Sequence, residues 1–284
     1  MKSLGGKTRR RRDENASTPA VSPDITNFLG RKTSVFLLKY TYPMPVTELA
    51  RQGKLQENFQ LITEKIAAAC LKAGRDASQV DLLAVTKYAD PDEVKYLVET
   101  GGIRTAGENK VQDAVKKWAE GNLAGVRHRV ELHFIGHLQT NKAGEAVALF
   151  NWIDSVDSLK LANHINKHAG QKDKKMPVLI QLKLAASDTQ GGINPDEAPK
   201  LLEEIRKLPF LCPSGYMAIA PNVQDQETLR PVFREAKRFF DRDFPGAVNA
   251  YGFKNYLSLG MSGDFEAAVL EGANLPRIGS LLFT

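Results

Sequence analysis

The sequence predicts an α/β fold, a single (β/α)8 barrel of the TIM type. Three observations predict it. Short apolar segments of strand character recur eight times. An amphipathic helical stretch separates each from the next. The alternation runs over roughly 230 residues, close to the span such a barrel occupies. An open, doubly wound sheet is the alternative.

The elements can be taken in order. From Gln56 to Ala73 the apolar positions Phe59, Leu61, Ile62, Ile66, Ala67, Cys70 and Leu71 recur at helical spacing, and Gly74 stops the helix. Strand-like segments follow at 82–87, 103–107, 131–136, 152–156, 177–184, 214–219, 256–260 and 276–280. Helical patterns fill the intervals, at about 91–100, 109–120, 140–149, 158–170, 195–207, 224–243 and 263–272. Runs such as Leu82-Leu83-Ala84-Val85 are apolar throughout, which fits strands buried on both faces of a parallel sheet. Pro91 suits the first turn of the helix that follows. Little chain comes after the eighth strand, so the helix at 56–73 is expected to cover the wall that a final helix normally covers.

Composition excludes several classes. No apolar run approaches the roughly 20 residues that cross a bilayer. Cys70 and Cys212 make neither a disulfide framework nor a zinc site; both are expected to be buried free thiols in a reducing, cytoplasmic setting. The net charge of +6 is confined to residues 1–43, which hold nine basic and three acidic residues. The remaining residues carry 30 of each sign and are neutral as a body. The segment 1–43 is rich in Ser, Thr, Pro and Arg and reads as a disordered arm, with residues 44–284 as the folded domain. The arm could touch nucleic acid or anionic lipid. Asp13 and Glu14 argue against a targeting peptide. The favoured expectation is an upstream start, with translation beginning at Met44. The neutral body speaks against nucleic acid as a partner, and the absence of an apolar span against a membrane.

Lys87 carries the chemical argument. It closes the strand at 82–87, and in α/β barrels reactive groups stand at the carboxyl ends of strands. A partly desolvated lysine there is suited to forming a Schiff base with a carbonyl; the bland alternative is a lysine that snorkels into water. The loops after strands 7 and 8 are the usual phosphate site of such barrels. Here they read Ser258-Leu259-Gly260-Met261-Ser262-Gly263-Asp264 and Arg277-Ile278-Gly279-Ser280. Glycine lets a backbone approach an anion, serine adds a donor, and a helix opening near Ser262 would aim free N–H groups at it. Ordinary turn chemistry would also use these residues. Arg277 could meet a phosphate or a ring nitrogen, or form a surface ion pair. Asn109 could cap the following helix or contact a ligand. His133 and His137 flank a strand end and are too far apart to share a metal ion. Trp118 and Trp152 are core candidates. No catalytic residue of a hydrolase or P-loop type stands out. A strand-end lysine, a phosphate cup and a nearby arginine together fit a phosphorylated aldehyde, with pyridoxal 5′-phosphate (PLP) as the candidate cofactor.

The motifs then carry a resemblance. LLAVTK (82–87), GEN-x-VQ (107–112), HFIGHLQTNK (133–142), W-x-x-SVDS (152–158), VLIQ (178–181), GYMAI (215–219), LSLGMSGDFEAAV (257–269) and RIGS (277–280) occur in this order. The chain resembles the YggS/PROSC family of PLP homeostasis proteins from about residue 56 onward. That resemblance implies a single-domain barrel similar to the N-terminal domain of alanine racemase. It implies that Lys87 carries PLP as an internal aldimine and that Ser258, Gly279 and Ser280 hold the phosphate, with Ser262 close by. It puts Arg277 at the pyridine nitrogen and Asn109 near the cofactor. An arginine there disfavours protonating the ring, which suits storage or delivery of PLP better than carbanion chemistry. Three departures stand out. Gln190 occupies the position of a family lysine in a K-x-G element, Lys183 stands where many members have asparagine, and the chain ends at Phe283-Thr284, short of the usual tail.

Three functions compete. The first is a monomeric PLP-binding regulator or carrier without substrate turnover, with PLP-dependent apoenzymes as candidate partners. The second is a racemase-like PLP enzyme; a two-base mechanism needs a group on each face of the carbanion, and only Lys87 can be named. The third is an interaction protein that uses the arm. The first is the expectation.

Overall fold

Eight parallel strands, joined by helices, organise the protein: β1 (Leu83–Val85), β2 (Thr105–Glu108), β3 (Glu131–Phe134), β4 (Trp152–Val156), β5 (Met176–Lys183), β6 (Leu211–Ile219), β7 (Tyr256–Ser258) and β8 (Arg277–Ile278). The computed structural model describes residues 46–184, 191–221, 223 and 226–284. The expected basic arm and Gln190 lie outside them. Val46–Thr284 forms one compact unit.

The strand order is β7-β6-β5-β4-β3-β2-β1-β8, so each strand pairs with its sequence neighbour and β8 returns to β1. Leu83 pairs with Arg277 and Ala84 with Ile278. The seam between β7 and β8 is closed by separate hydrogen bonds instead of a ladder. Arg277 N–H donates to Gly260 O (2.9 Å), Asn274 N–H to Leu257 O (3.1 Å), and Leu257 N–H to the Asn274 side-chain oxygen (2.7 Å). These strands hold three and two residues, too few for regular pairing. The fold is therefore the (β/α)8 barrel that the alternation predicts.

The helices are α1 (Val46–Lys72), α2 (Pro91–Glu99), α3 (Val111–Ala114), α4 (Ala143–Leu149), α5 (Leu159–Gln171), α6 (Ala198–Arg206), α7 (Gln226–Asp243), α8 (Phe265–Leu270) and α9 (Ser280–Phe283). Local chemistry starts two of them: Asp90 accepts from Asp92 N–H ahead of Pro91 in α2, and Ser158 accepts from Leu161 N–H in α5. The main core lies between these helices and the outer face of the sheet. A second cluster (Leu83, Trp152, Leu179, Met217, Tyr256 and Leu275) fills the barrel interior. Burying each large side chain contributes about 1.5–3 kcal/mol. Trp118 and Trp152 are both core residues, and Cys70 and Cys212 are buried free thiols.

Helix α1 begins ten residues before the predicted start at Gln56. Residues 46–55 lack an apolar period, so the sequence pattern does not mark them as helical. They are held by tertiary contacts: Arg51 bonds to Glu93 and donates to Phe283 O (2.6 Å). Further along α1, Asn58 donates to Leu282 O (3.2 Å) and Lys65 pairs with Glu266 (2.7 Å). Helix α1 thus covers the α8–α9 wall, as expected for a barrel with no long final helix.

The helix expected at 109–120 is split. A four-residue α3 passes into a π-helical turn, Val115–Ala119, which widens the helix by one residue. The strand expected to start at Ser214 starts at Leu211, and the helix expected at 263 starts at Phe265.

Candidate functional site at the barrel mouth

The carboxyl ends of β1, β2, β7 and β8 bring the predicted residues to one rim. Lys87 lies just past β1, in a turn closed by Ala89 N–H on Thr86 O (3.0 Å). Its side chain is exposed, with Nζ 5.0 Å from the centre of the Tyr88 ring. The partial desolvation expected of this lysine is therefore not observed; its amine stands open at the mouth.

Gly279 follows β8, and the β1–β8 register sets it against Val85. A Cβ at Gly279 would lie 3.3 Å from both Val85 Cβ and Val85 O, so a larger residue would crowd the wall next to Lys87. Ser280 is exposed and Ser262 half-buried, with the Ser262 hydroxyl 3.3 Å from Leu281 N–H. Gly260 supports this loop with φ +87, where a Cβ would meet Ala268 Cβ at 2.7 Å. Asp264 sits at the start of α8; its carboxylate accepts from Met261 N–H (2.6 Å) and caps no N–H of the helix.

Arg277 and Ser258 depart most from expectation. Arg277 is 4% exposed and makes no surface ion pair. Its Nη1 donates to Ser258 O (2.7 Å) and Ser258 Oγ (2.9 Å), and its Nη2 to Ala218 O (2.8 Å). Burial pulls its pKa down to about 10, while Asp154 and Asp264 pull the other way. It stays charged at neutral pH. Ser258 is fully buried and its hydroxyl also donates to Leu275 O (3.0 Å). That hydroxyl anchors Arg277 and the seam, whereas Ser262, Gly279 and Ser280 are more open.

Asn109 is half-buried beside β2 and does not cap α3, whose N-cap is Lys110. Its side chain makes no hydrogen bond among the described residues, which leaves the amide available to a ligand. His133 and His137 face different surroundings. His133 is fully buried, with Nδ1 at 2.9 Å and 3.0 Å from the two Asp154 oxygens, and it stacks on Trp152. The exposed His137 lies 4.0 Å from Asp157. Lys183 ends β5, half-buried.

Sequence reasoning missed two buried carboxylates, Asp154 in the middle of β4 and Glu108 at the carboxyl end of β2. Glu108 falls inside the GEN motif (107–109), and a charged residue in a short buried strand was the available signal.

A fully parallel barrel with polar groups at its carboxyl rim is a (β/α)8 barrel of the TIM type, and comparison places it among the alanine-racemase-type barrels. The family model described as "Alanine racemase, N-terminal domain" matches residues 54–284. A curated relative from Aquifex aeolicus, a "Pyridoxal phosphate homeostasis protein", is 35% identical over 230 residues, 80% of this chain and 96% of the relative. A solved protein of unknown function from Bifidobacterium adolescentis is 30% identical with a TM-score of 0.75, covering 82% of this chain and 96% of that one. PipY of Synechococcus elongatus PCC7942, solved with PLP bound, is 32% identical with a TM-score of 0.65, covering 78% and 100%. The chain belongs to the pyridoxal phosphate homeostasis protein family.

Proposed function

We propose that this protein binds PLP covalently through Lys87 and serves PLP homeostasis, holding and releasing the cofactor without turning over a substrate of its own. The observation that carries the reading is the β1–β8 register. It sets the Gly279 wall of an open, polar cup against Val85, two residues before an exposed lysine amine. The name of the Aquifex relative and the PLP bound to PipY support the same cofactor.

The residues fit the group. PLP supplies an aldehyde that condenses with a lysine amine. Ser262, Ser280 and the backbone at Gly279 would hold its phosphate, with Asn109 and Arg277 as the groups that would meet its ring. Ser258 acts behind them by fixing Arg277. A guanidinium that keeps its proton at neutral pH does not deliver it to the ring, which leaves the ring a weak electron sink. That property suits a carrier better than a racemase. The protein acts as a single barrel in the cytoplasm and exchanges PLP with PLP-dependent apoenzymes. No helix among the described residues is long and apolar enough to cross a membrane.

The test is a visible absorption spectrum of the protein with PLP, then borohydride reduction and peptide mapping, with Lys87→Ala in parallel. The expected result is a yellow protein whose reduced adduct maps to Lys87, and no such adduct in the variant. Adducts scattered over surface lysines would refute the cofactor assignment. Turnover of D- or L-amino acids by the loaded protein would refute the carrier reading.

A further inference from the structure

The turn that carries Lys87 is gripped from beneath by a buried polar group centred on Lys117, which lies outside every sequence motif. Thr86 and Ala89 bracket the turn, and Lys87 and Tyr88 project from it, both exposed. The ammonium of Lys117 donates to Thr86 O (2.6 Å) and to Ala89 O (2.9 Å), so one cation spans the base of the turn. Its third neighbour is the Glu108 carboxylate, at 3.7 Å. Glu108 Oε1 also accepts from the Thr86 hydroxyl (2.7 Å) and the Trp118 indole N–H (3.1 Å). The side chains of Lys117 and Glu108 are 13% and 2% exposed.

Two features set this group apart from ordinary packing. Desolvating a carboxylate and an ammonium together costs several kcal/mol, and an apolar replacement is often neutral or stabilising. Burial lowers the pKa of Lys117 against the pull of Glu108 and Asp90, so that cost is present here. The bonds also converge, since four residues direct their polar atoms at one turn or at the carboxylate beneath it. Lys117 and Trp118 are adjacent in sequence, and a regular helix would separate their directions by about 100°. They lie in the π-helical turn Val115–Ala119, and both reach Glu108. Such turns are frequent at functional sites.

We infer that Lys117 and Glu108 are positioning residues for Lys87, holding the Thr86–Ala89 turn in the conformation that presents the Lys87 amine to the mouth. They contact the turn's backbone and the Thr86 hydroxyl and leave the ligand to the rim residues. The inference rests on the reading of Lys87 as the PLP-bearing residue.

The experiment measures, for the full chain, the rate at which PLP becomes borohydride-trappable on Lys87, well below each variant's melting temperature. Melting temperature is measured separately. Lys117→Met removes the cation, Glu108→Gln the charge beneath it, and Thr86→Val one hydroxyl at nearly constant shape. The expected result is a roughly tenfold slower attachment in Lys117→Met, the cost of a misplaced reacting group. Thr86→Val should shift in the same direction, and the Lys117→Met/Glu108→Gln pair should be non-additive. Lys117→Arg, which keeps charge and several donors, should recover part of the rate. If Lys117→Met does not fold, Thr86→Val and Lys117→Arg carry the same comparison. Variants that melt earlier yet attach PLP within twofold of the parent rate would make the group merely structural and overturn the inference. A parent protein that forms no Lys87 adduct would instead overturn the reading of Lys87.

Discussion

Replacing Arg277 by methionine tests whether its guanidinium holds the barrel seam. The side chain stays long and loses its charge and donors. Three bonds disappear: those to Ser258 O, Ser258 Oγ and Ala218 O. Hydrogen bonds to charged groups contribute about 1.5–3 kcal/mol each, so the gross loss is about 5–9 kcal/mol. Against it stands the cost of burying the charge, which the variant recovers. The drop in pKa from 12.5 to about 10, net of the pull of Asp154 and Asp264, puts that cost on the order of 3 kcal/mol. The net destabilisation is about 2–6 kcal/mol, which for a domain of this size lowers Tm by roughly 4–24 °C. Urea unfolding of the parent, Arg277→Met and Arg277→Lys gives the numbers. Lysine keeps a charge but cannot span Ser258 and Ala218 as a planar fork does, so its loss should fall between the other two. A stability change under about 0.5 kcal/mol in Arg277→Met, the scale of a plain surface substitution, would refute the structural role.

Two further predictions concern the cup and the pH dependence. Ser262→Ala should weaken PLP retention by roughly 10–100-fold, the worth of one hydrogen bond to a charged group. Ser258→Ala should act chiefly on stability, and dialysis of the loaded protein followed at the PLP absorption band separates the two. Lys174 donates to Val147 O and Phe150 O, and its pKa is pulled down to about 8 by burial, with Arg127 and Lys172 adding repulsion. A base with a depressed folded pKa binds fewer protons than the unfolded chain between that value and its ordinary one. Stability from this group should therefore rise as pH climbs from 8 toward 10.5. Discounted for partial exposure, the rise is about 1 kcal/mol. Urea unfolding of parent and Lys174→Met at pH 7 and pH 9.5 should show it in the difference between the two proteins, and parallel curves would contradict it.

Much of the barrel was legible from short-range pattern. All eight strands lie within a few residues of the predicted segments, because strands buried on both faces are largely apolar. That Lys87, Asn109, Gly279 and Ser280 would lie at strand ends was legible because strand ends are local features; their part in binding is the proposal made above. The first ten residues of α1 were not, since they lack an apolar period and are tied down by Arg51 reaching Glu93 and Phe283. Ser258 is expected at a phosphate because its loop is rich in Gly and Ser; that it is buried and accepts from Arg277, 19 positions away, is not written in that loop.

What the sequence determined by itself is the number and order of the strands and the helices between them, and with them the strand end at which Lys87 emerges. These follow from local periodicity, which records whether each position faces core or water. Tertiary structure decided which groups meet: the β1–β8 pairing that sets Gly279 beside the lysine strand, the seam closed through Arg277, and the grip of Lys117 on the Thr86–Ala89 turn from 31 and 28 residues away. Such contacts exist only once the barrel has closed. Their partners lie on different strands and helices, and hydrophobic pattern does not record which polar groups pair.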